Sequence, residues 1–275
     1  MDIYSEVERF YQSISTQKTI IGKSLFGRNI YAVKMGDGFP VGICQYAIHG
    51  REFITSKLAL NHFLRGGFGS VWFIPLTNPD GALLSQIGIQ SVPKQDQDFL
   101  LSINGGEDFS LWKANGRGVD LNVNFDADFG KGVQNVKQAG SENYIGTNPF
   151  SEPETLALKN FTLEVKPNYS FSFHTKGEEI YWYYHQKEPD LSRDKTLAQI
   201  IQKVTSYPLK QTLGSVGGYK DWCIQKLKIP SFTLEVGQDD YAHPLGGEAL
   251  PNILAKNIDV VYQFSKEYRS YEAND

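Results

Sequence analysis

An imidazole and a carboxylate three positions apart, His49 and Glu52, stand where the apolar run Val41–Ile48 gives way to a helical pattern over Phe53–Leu64. Across a strand-to-helix turn two such side chains can converge on one ion, and zinc accepts mixed nitrogen and oxygen ligands of this kind. A catalytic zinc takes three protein ligands and keeps one position open, so a third ligand has to come from elsewhere. The chain has five histidines. His62 falls inside the helical pattern and reads as a surface or helix-packing residue. His185 follows an aromatic run and reads as a solvated loop position, and His243, before Pro244 in an acidic turn, reads as a structural or rim residue. His174 closes the apolar stretch Ser170–Phe173. Strand ends of open α/β sheets are where sites collect, so His174 is either the missing ligand or a core histidine. Glu235 sits in the apolar strand Ser231–Val236, where a carboxylate is costly unless it is paired or catalytic.

The elements that must hold these residues follow from periodicity. Ile3, Val7, Phe10 and Tyr11 recur at helical spacing over Ile3–Ser13. Thr19–Lys34, β-branched and aromatic around Gly27, predicts a hairpin. Val41–Ile48 and Val71–Leu76 predict buried strands. Asn78-Pro79-Asp80-Gly81 predicts a turn. The stretch from about Gln86 to Gly118 lacks strong periodicity and predicts a long loop that is functional or carries short elements, with a short strand end over Val119–Asn124. Ser151 followed by Glu154 is a capping-box pattern for a helix over Ser151–Lys166. Strands are expected at Ser170–His174, Ile180–Tyr184 and Ser231–Val236, and helices over Leu191–Thr205 and Asn252–Tyr268. Helices alternating with apolar strands, with no linker or repeat, predict one α/β domain over residues 1–275, its mixed sheet covered on both faces.

Composition narrows the function. An apolar fraction of 40%, a charged fraction of 21% and a net charge of −4 suit an ordinary soluble domain. No cluster of Lys and Arg points to nucleic acid, and no basic amphipathic stretch or long apolar run points to a membrane. The N-terminus lacks the basic and apolar regions of a signal peptide, so a cytoplasmic location is expected. Cys44 and Cys223 fall in or near core segments and are expected to be buried free thiols.

Four ordered motifs carry a resemblance. His49-Gly50-Arg51-Glu52, then Gly118-Val119-Asp120-Leu121-Asn122-Val123-Asn124-Phe125, then His174, then Phe232-Thr233-Leu234-Glu235 resemble the zinc carboxypeptidases of the carboxypeptidase A type. The resemblance implies a mixed eight-stranded sheet with helices on both faces. It also implies a Zn2+ ion held by His49, Glu52 and His174, with Glu235 as general base and Asp120 orienting the first histidine. The family places an arginine after a tryptophan to stabilise the oxyanion. After Trp112 this chain offers Lys113 and, four residues further on, Arg117, which is preferred for its fixed fork of donors. Arg51 and Asn122 are expected to touch substrate.

Within the family the chain is similar to the bacterial γ-D-glutamyl-meso-diaminopimelate peptidases, through Trp112–Asn122 and His174–Trp182. The implied reaction is hydrolysis of the γ-D-glutamyl–diamino acid bond in small murein peptides. A general metallocarboxypeptidase and a silent peptide-binding relative are the alternatives. The departures bear on substrate. Val123 stands where the family's carboxylate-binding arginine follows the asparagine, and Leu213 where its mobile tyrosine falls; Tyr219 or Tyr241 could replace that phenol. Lys176 and Glu178, just past His174, are expected to pair with the two charges of a diaminopimelate tail.

Overall fold

A computed structural model describes residues 1–211 and 214–273. Its eight strands, in chain order, are β1 (Lys18–Lys23), β2 (Asn29–Met35), β3 (Val41–Tyr46), β4 (Ser70–Ile74), β5 (Tyr169–His174), β6 (Glu179–Tyr181), β7 (Leu209–Lys210) and β8 (Ser231–Glu235). They form one mixed sheet in the order β1-β2-β4-β3-β5-β8-β6-β7. The central strands β4, β3, β5 and β8 run parallel, and the antiparallel pairs lie towards the edges. This is the single α/β domain with a mixed eight-stranded sheet that the sequence predicts.

Alternation along the strands divides the core. Cys44, Tyr46, Val71, Phe73, Phe171 and Phe173 face one side. There they meet helices α2 (Ile54–Arg65), α6 (Asp190–Thr205), α8 (Leu250–Asn257) and α9 (Val260–Glu272). Ile30, Ala32, Ile43, Trp72 and Ile74 face the other, against α5 (Pro153–Val165) and the short α7 (Tyr219–Trp222). Both cysteines are buried and free. No helix among the described residues is long and apolar enough to cross a membrane.

Several local expectations are corrected. Asn78-Pro79-Asp80-Gly81 starts helix α3 (Pro79–Ile87): the Asn78 side chain accepts from the Gly81 N–H, and Pro79 fills a first-turn position where no donor is lost. The supposed long loop contains α4 (Lys94–Asn104), whose single fully buried residue, Leu100, leaves too weak an apolar stripe to read. Val119–Asn124 is not a strand; a 3-10 turn at Leu121–Val123 is held by the Asp120 carboxylate accepting from the Asn122 N–H at 3.0 Å. The capping box does not form. Ser151 Oγ instead bonds Glu152, while Glu154 is buried and accepts from the Leu25 N–H at 2.9 Å. The predicted closing helix is two helices, α8 and α9, breaking at Ile258–Asp259.

Candidate metal and catalytic centre

Three adjacent parallel strands deliver the site. β3 leads into His49, β5 ends in His174 and β8 ends in Glu235, with His174 and Glu235 directly paired in register. The cleft at the carboxyl ends of parallel strands is where side chains leave the sheet free to meet a ligand. His49 opens a tight turn over Gly50–Glu52. Gly50 is required there: a Cβ would overlap the Gly81 carbonyl, and the Gly50 N–H donates to the Lys113 carbonyl at 2.9 Å. The turn is thereby docked on α3 and on the Trp112–Asp120 loop.

His49, Glu52 and His174 come together as a buried cluster whose potential ligand atoms all lie within 4.8 Å of one another. His49 Nδ1 is 2.8 Å from Glu52 Oε1, His174 Nδ1 is 3.0 Å from Glu52 Oε2, and the two Nδ1 atoms are 3.1 Å apart. Both rings thus turn the same nitrogen inward. Beyond its contact with His174, Glu52 Oε2 is buried with no hydrogen-bond partner among the described residues. Burial works to raise the Glu52 carboxyl, but His49 and His174 outweigh it and hold it well below the usual range. Two imidazole nitrogens and an ionised carboxylate crowded in this way form a donor set that suits a zinc ion.

The other nitrogen of His49 faces Asp120 at 3.3 Å. Asp120 is fully buried and also meets Lys113 Nζ at 3.0 Å and the Asn143 N–H at 3.2 Å. Burial opposes its charge, but Lys113 and His49 hold it well below the usual carboxylate range. Glu235 is in the opposite situation. Burial, reinforced by Glu52, pushes it up to about 7 against the pull of His174 and Lys113. A carboxylate poised near neutrality suits proton transfer.

Some expected residues lie elsewhere. The Arg117 side chain is half-exposed, 3.6 Å from Glu152, and lines a separate cavity with Phe26 and Phe99. Lys113 lines the cavities at the cluster, so the expected order of the two cations is reversed. Tyr219 is fully buried, its phenol 2.9 Å from the Thr162 hydroxyl, and so cannot supply a mobile phenol. Tyr241 packs partly buried against the core on the α2 side of the sheet, and Leu213 lies outside the described residues. Glu178 is turned to Lys256, with contacts of 2.6 and 2.7 Å, while Lys176 lines the cavity and pairs with Asp239 at 2.9 Å. Of the two residues expected to meet the charges of a diaminopimelate tail, Lys176 lines the cavity and Glu178 is paired with Lys256 instead. Arg51 lines the same cavity as Lys176, and Asn122 lines two cavities flanking the cluster.

One pair was missed by sequence reading. A cavity of about 200 Å³ opens between Asn122, Thr233 and Glu235, and Lys220 and Asp221 line it. Their charged atoms are 2.5 Å apart; Lys220 also donates to the Tyr183 carbonyl, and Asp221 accepts from the Gly218 N–H. Adjacent opposite charges look like surface polarity in a sequence. Only the short α7, buried against the sheet, makes them a cavity wall.

The fold and the His-Glu-His cluster have the architecture of the zinc carboxypeptidases. The family model for zinc carboxypeptidases matches residues 70–258, and the chain belongs to that family. The matched span holds His174 and Glu235, whereas His49 and Glu52 precede it. Gamma-D-glutamyl-L-diamino acid endopeptidase 1 of Lysinibacillus sphaericus is 30% identical over 267 residues, covering 90% of this chain and 64% of that protein. The chain therefore spans less than two thirds of that relative. Bovine thrombin-activatable fibrinolysis inhibitor superposes with a TM-score of 0.76 at 18% identity, covering 98% of both chains. The murein-tripeptide amidase MpaA from Escherichia coli O157 gives 0.57 at 20% identity over 95% of both. At these identities the two structures attest the fold.

Proposed function

We propose that this chain is a zinc peptidase that hydrolyses the γ-D-glutamyl–diamino acid bond of small murein peptides. His49 Nδ1, His174 Nδ1 and the Glu52 carboxylate would hold the ion; the crowding of two imidazole nitrogens round one buried carboxylate supports that assignment. When bound there, zinc polarises the scissile carbonyl and brings the pKa of water to about 7. Asp120 fixes the ring of His49 by occupying its outer nitrogen. Glu235 accepts a proton from the attacking water and passes it to the leaving amine, a task matched to a carboxyl near 7. Lys113 directs its ammonium to the developing oxyanion.

The observation that carries the substrate reading is the Lys220–Asp221 pair in the cavity next to Glu235. The far end of meso-diaminopimelate bears an ammonium and a carboxylate on one carbon, and a side-by-side ammonium and carboxylate complement both. An ordinary apolar side chain would bring no charge to meet either member of that pair. The name of the 30%-identical endopeptidase supports the same bond class. The test is mass spectrometry of products from L-Ala-γ-D-Glu-meso-diaminopimelate beside a hippuryl-type carboxypeptidase substrate. Release of free diaminopimelate at the higher kcat/KM is expected; equal efficiency on the hippuryl substrate overturns the reading.

A further inference from the structure

A second cavity, of about 330 Å³, shares Glu235 and Tyr181 with the one that Lys220 and Asp221 line. A substrate whose leaving residue fills the first has its acyl portion at the second. Three residues of this second wall each hold a buried polar atom with no hydrogen-bond partner among the described residues: Arg51 Nε, Thr175 Oγ1 and His243 Nδ1. Unsatisfied buried polar groups are rare in folded proteins and costly where they occur.

The charges on this wall are unevenly met. Glu52 is answered by His49 and His174, and Asp239 by Lys176. Among the described residues, Arg51 has only the Leu111 carbonyl at 3.3 Å and the half-exposed Glu142 at 3.5 Å, both on Nη1. The guanidinium thus keeps donors free beside a hydroxyl and an imidazole. That combination suits an oxyanion with two acceptor oxygens.

We propose that Arg51, Thr175 and His243 form an anion subsite that takes the free α-carboxylate of a γ-linked glutamyl residue on the acyl side of the scissile bond. The inference rests on the proposed function and extends it to the other half of the substrate. A γ-linked glutamate leaves its α-carboxylate free near the reacting carbonyl, whereas an α-linked peptide carries a neutral amide there. The subsite would therefore select the linkage itself, independently of the leaving residue.

The test compares L-Ala-γ-D-Glu-meso-diaminopimelate with its α-amide, the D-isoglutaminyl peptide, which keeps the shape and removes the charge. The zinc-loaded protein is expected to favour the carboxylate peptide by about 10²-fold in kcat/KM, since the amide leaves Arg51 facing an uncharged group. R51M should collapse that ratio at least tenfold, and T175V, which keeps its neighbours' packing, should lower it as well. Calorimetry with the products L-Ala-D-Glu and L-Ala-D-isoglutamine should show the same order without turnover. A wild-type ratio near one, or a ratio unchanged in both variants, overturns the subsite while cleavage of both γ-linked peptides keeps the proposed function. If neither γ-linked peptide is cut and the hippuryl substrate is, both readings fall.

Discussion

Lys113 Nζ lies 3.0 Å from Asp120, and the other oxygen of that carboxylate reaches His49 at 3.3 Å. One buried carboxylate therefore joins the Lys113 ammonium, the proposed oxyanion donor, to the first imidazole of the cluster. Burial works against the Lys113 charge, but Asp120 and then Glu52 raise its pKa and keep it protonated. The Trp112–Asp120 loop is itself pinned. Asn115 Nδ2 donates to Glu152 at 2.8 Å and Glu154 at 3.2 Å, while its Oδ1 accepts from the Arg117 and Val119 N–H groups. A cation held this firmly meets a developing negative charge without reorganising.

Lys113→Met is expected to lower kcat by about 10²–10³-fold, the usual loss for one oxyanion donor. Arg117→Met should leave kcat near the wild-type value, because that guanidinium is half-exposed beside Glu152. Steady-state kinetics on the murein tripeptide checks both, and the reverse order of effects would return the role to Arg117.

Metal content tests the cluster. Zinc-saturated protein should carry about one zinc by elemental analysis, and His174→Ala should lose most of it. A chelator should lower Tm, because an ion bound only by the folded state stabilises it. Full zinc retention in the variant would remove His174 from the site.

Glu235→Gln keeps the shape of the side chain and removes its proton chemistry. Zinc content and Tm should stay close to wild type while kcat falls by about 10²–10⁴-fold. A near-normal kcat would end the assignment of Glu235 as base.

The parts legible in the sequence were those written in local pattern. Val41–Tyr46, Tyr169–His174 and Ser231–Glu235 are apolar runs, and their parallel neighbours in the sheet bring His49, His174 and Glu235 to one end. Periodicity could not show which way a side chain turns once it leaves an element. Arg117 and Lys113 sit four positions apart in one loop, and it is the folded loop, with Asn115 bonding the Arg117 and Val119 N–H groups and Asp120 pairing with Lys113, that turns Lys113 to the cluster. Glu178, with a φ of 56°, turns away to Lys256 for the same reason: its backbone leaves the strand direction just past His174. Ser151 and Glu154 fit the capping box as sequence, yet the buried contacts of Glu154 with Leu25 and Asn115 outcompete the cap.

Two buried groups away from the cluster predict a pH signature in stability. Burial, helped by Asp80, raises Glu154 from 4.5 to about 7; burial alone lowers His62 from 6.5 to about 4. The stabilisation linked to Glu154 is fully present below pH 4.5 and is lost as pH rises through about 7. That linked to His62 is present above pH 6.5 and is lost as pH falls through about 4. Between about pH 4.5 and 6.5 the two slopes oppose each other. Glu154→Gln removes one of them, so the variant should gain stability relative to wild type as pH rises from 4.5 to 7.5, by up to about 3 kcal/mol at about 1.4 kcal/mol per pH unit. Urea unfolding of both proteins at each pH measures the difference directly. A difference that stays flat across this range would mean that Glu154 titrates in the folded protein near its ordinary value, without the upward shift.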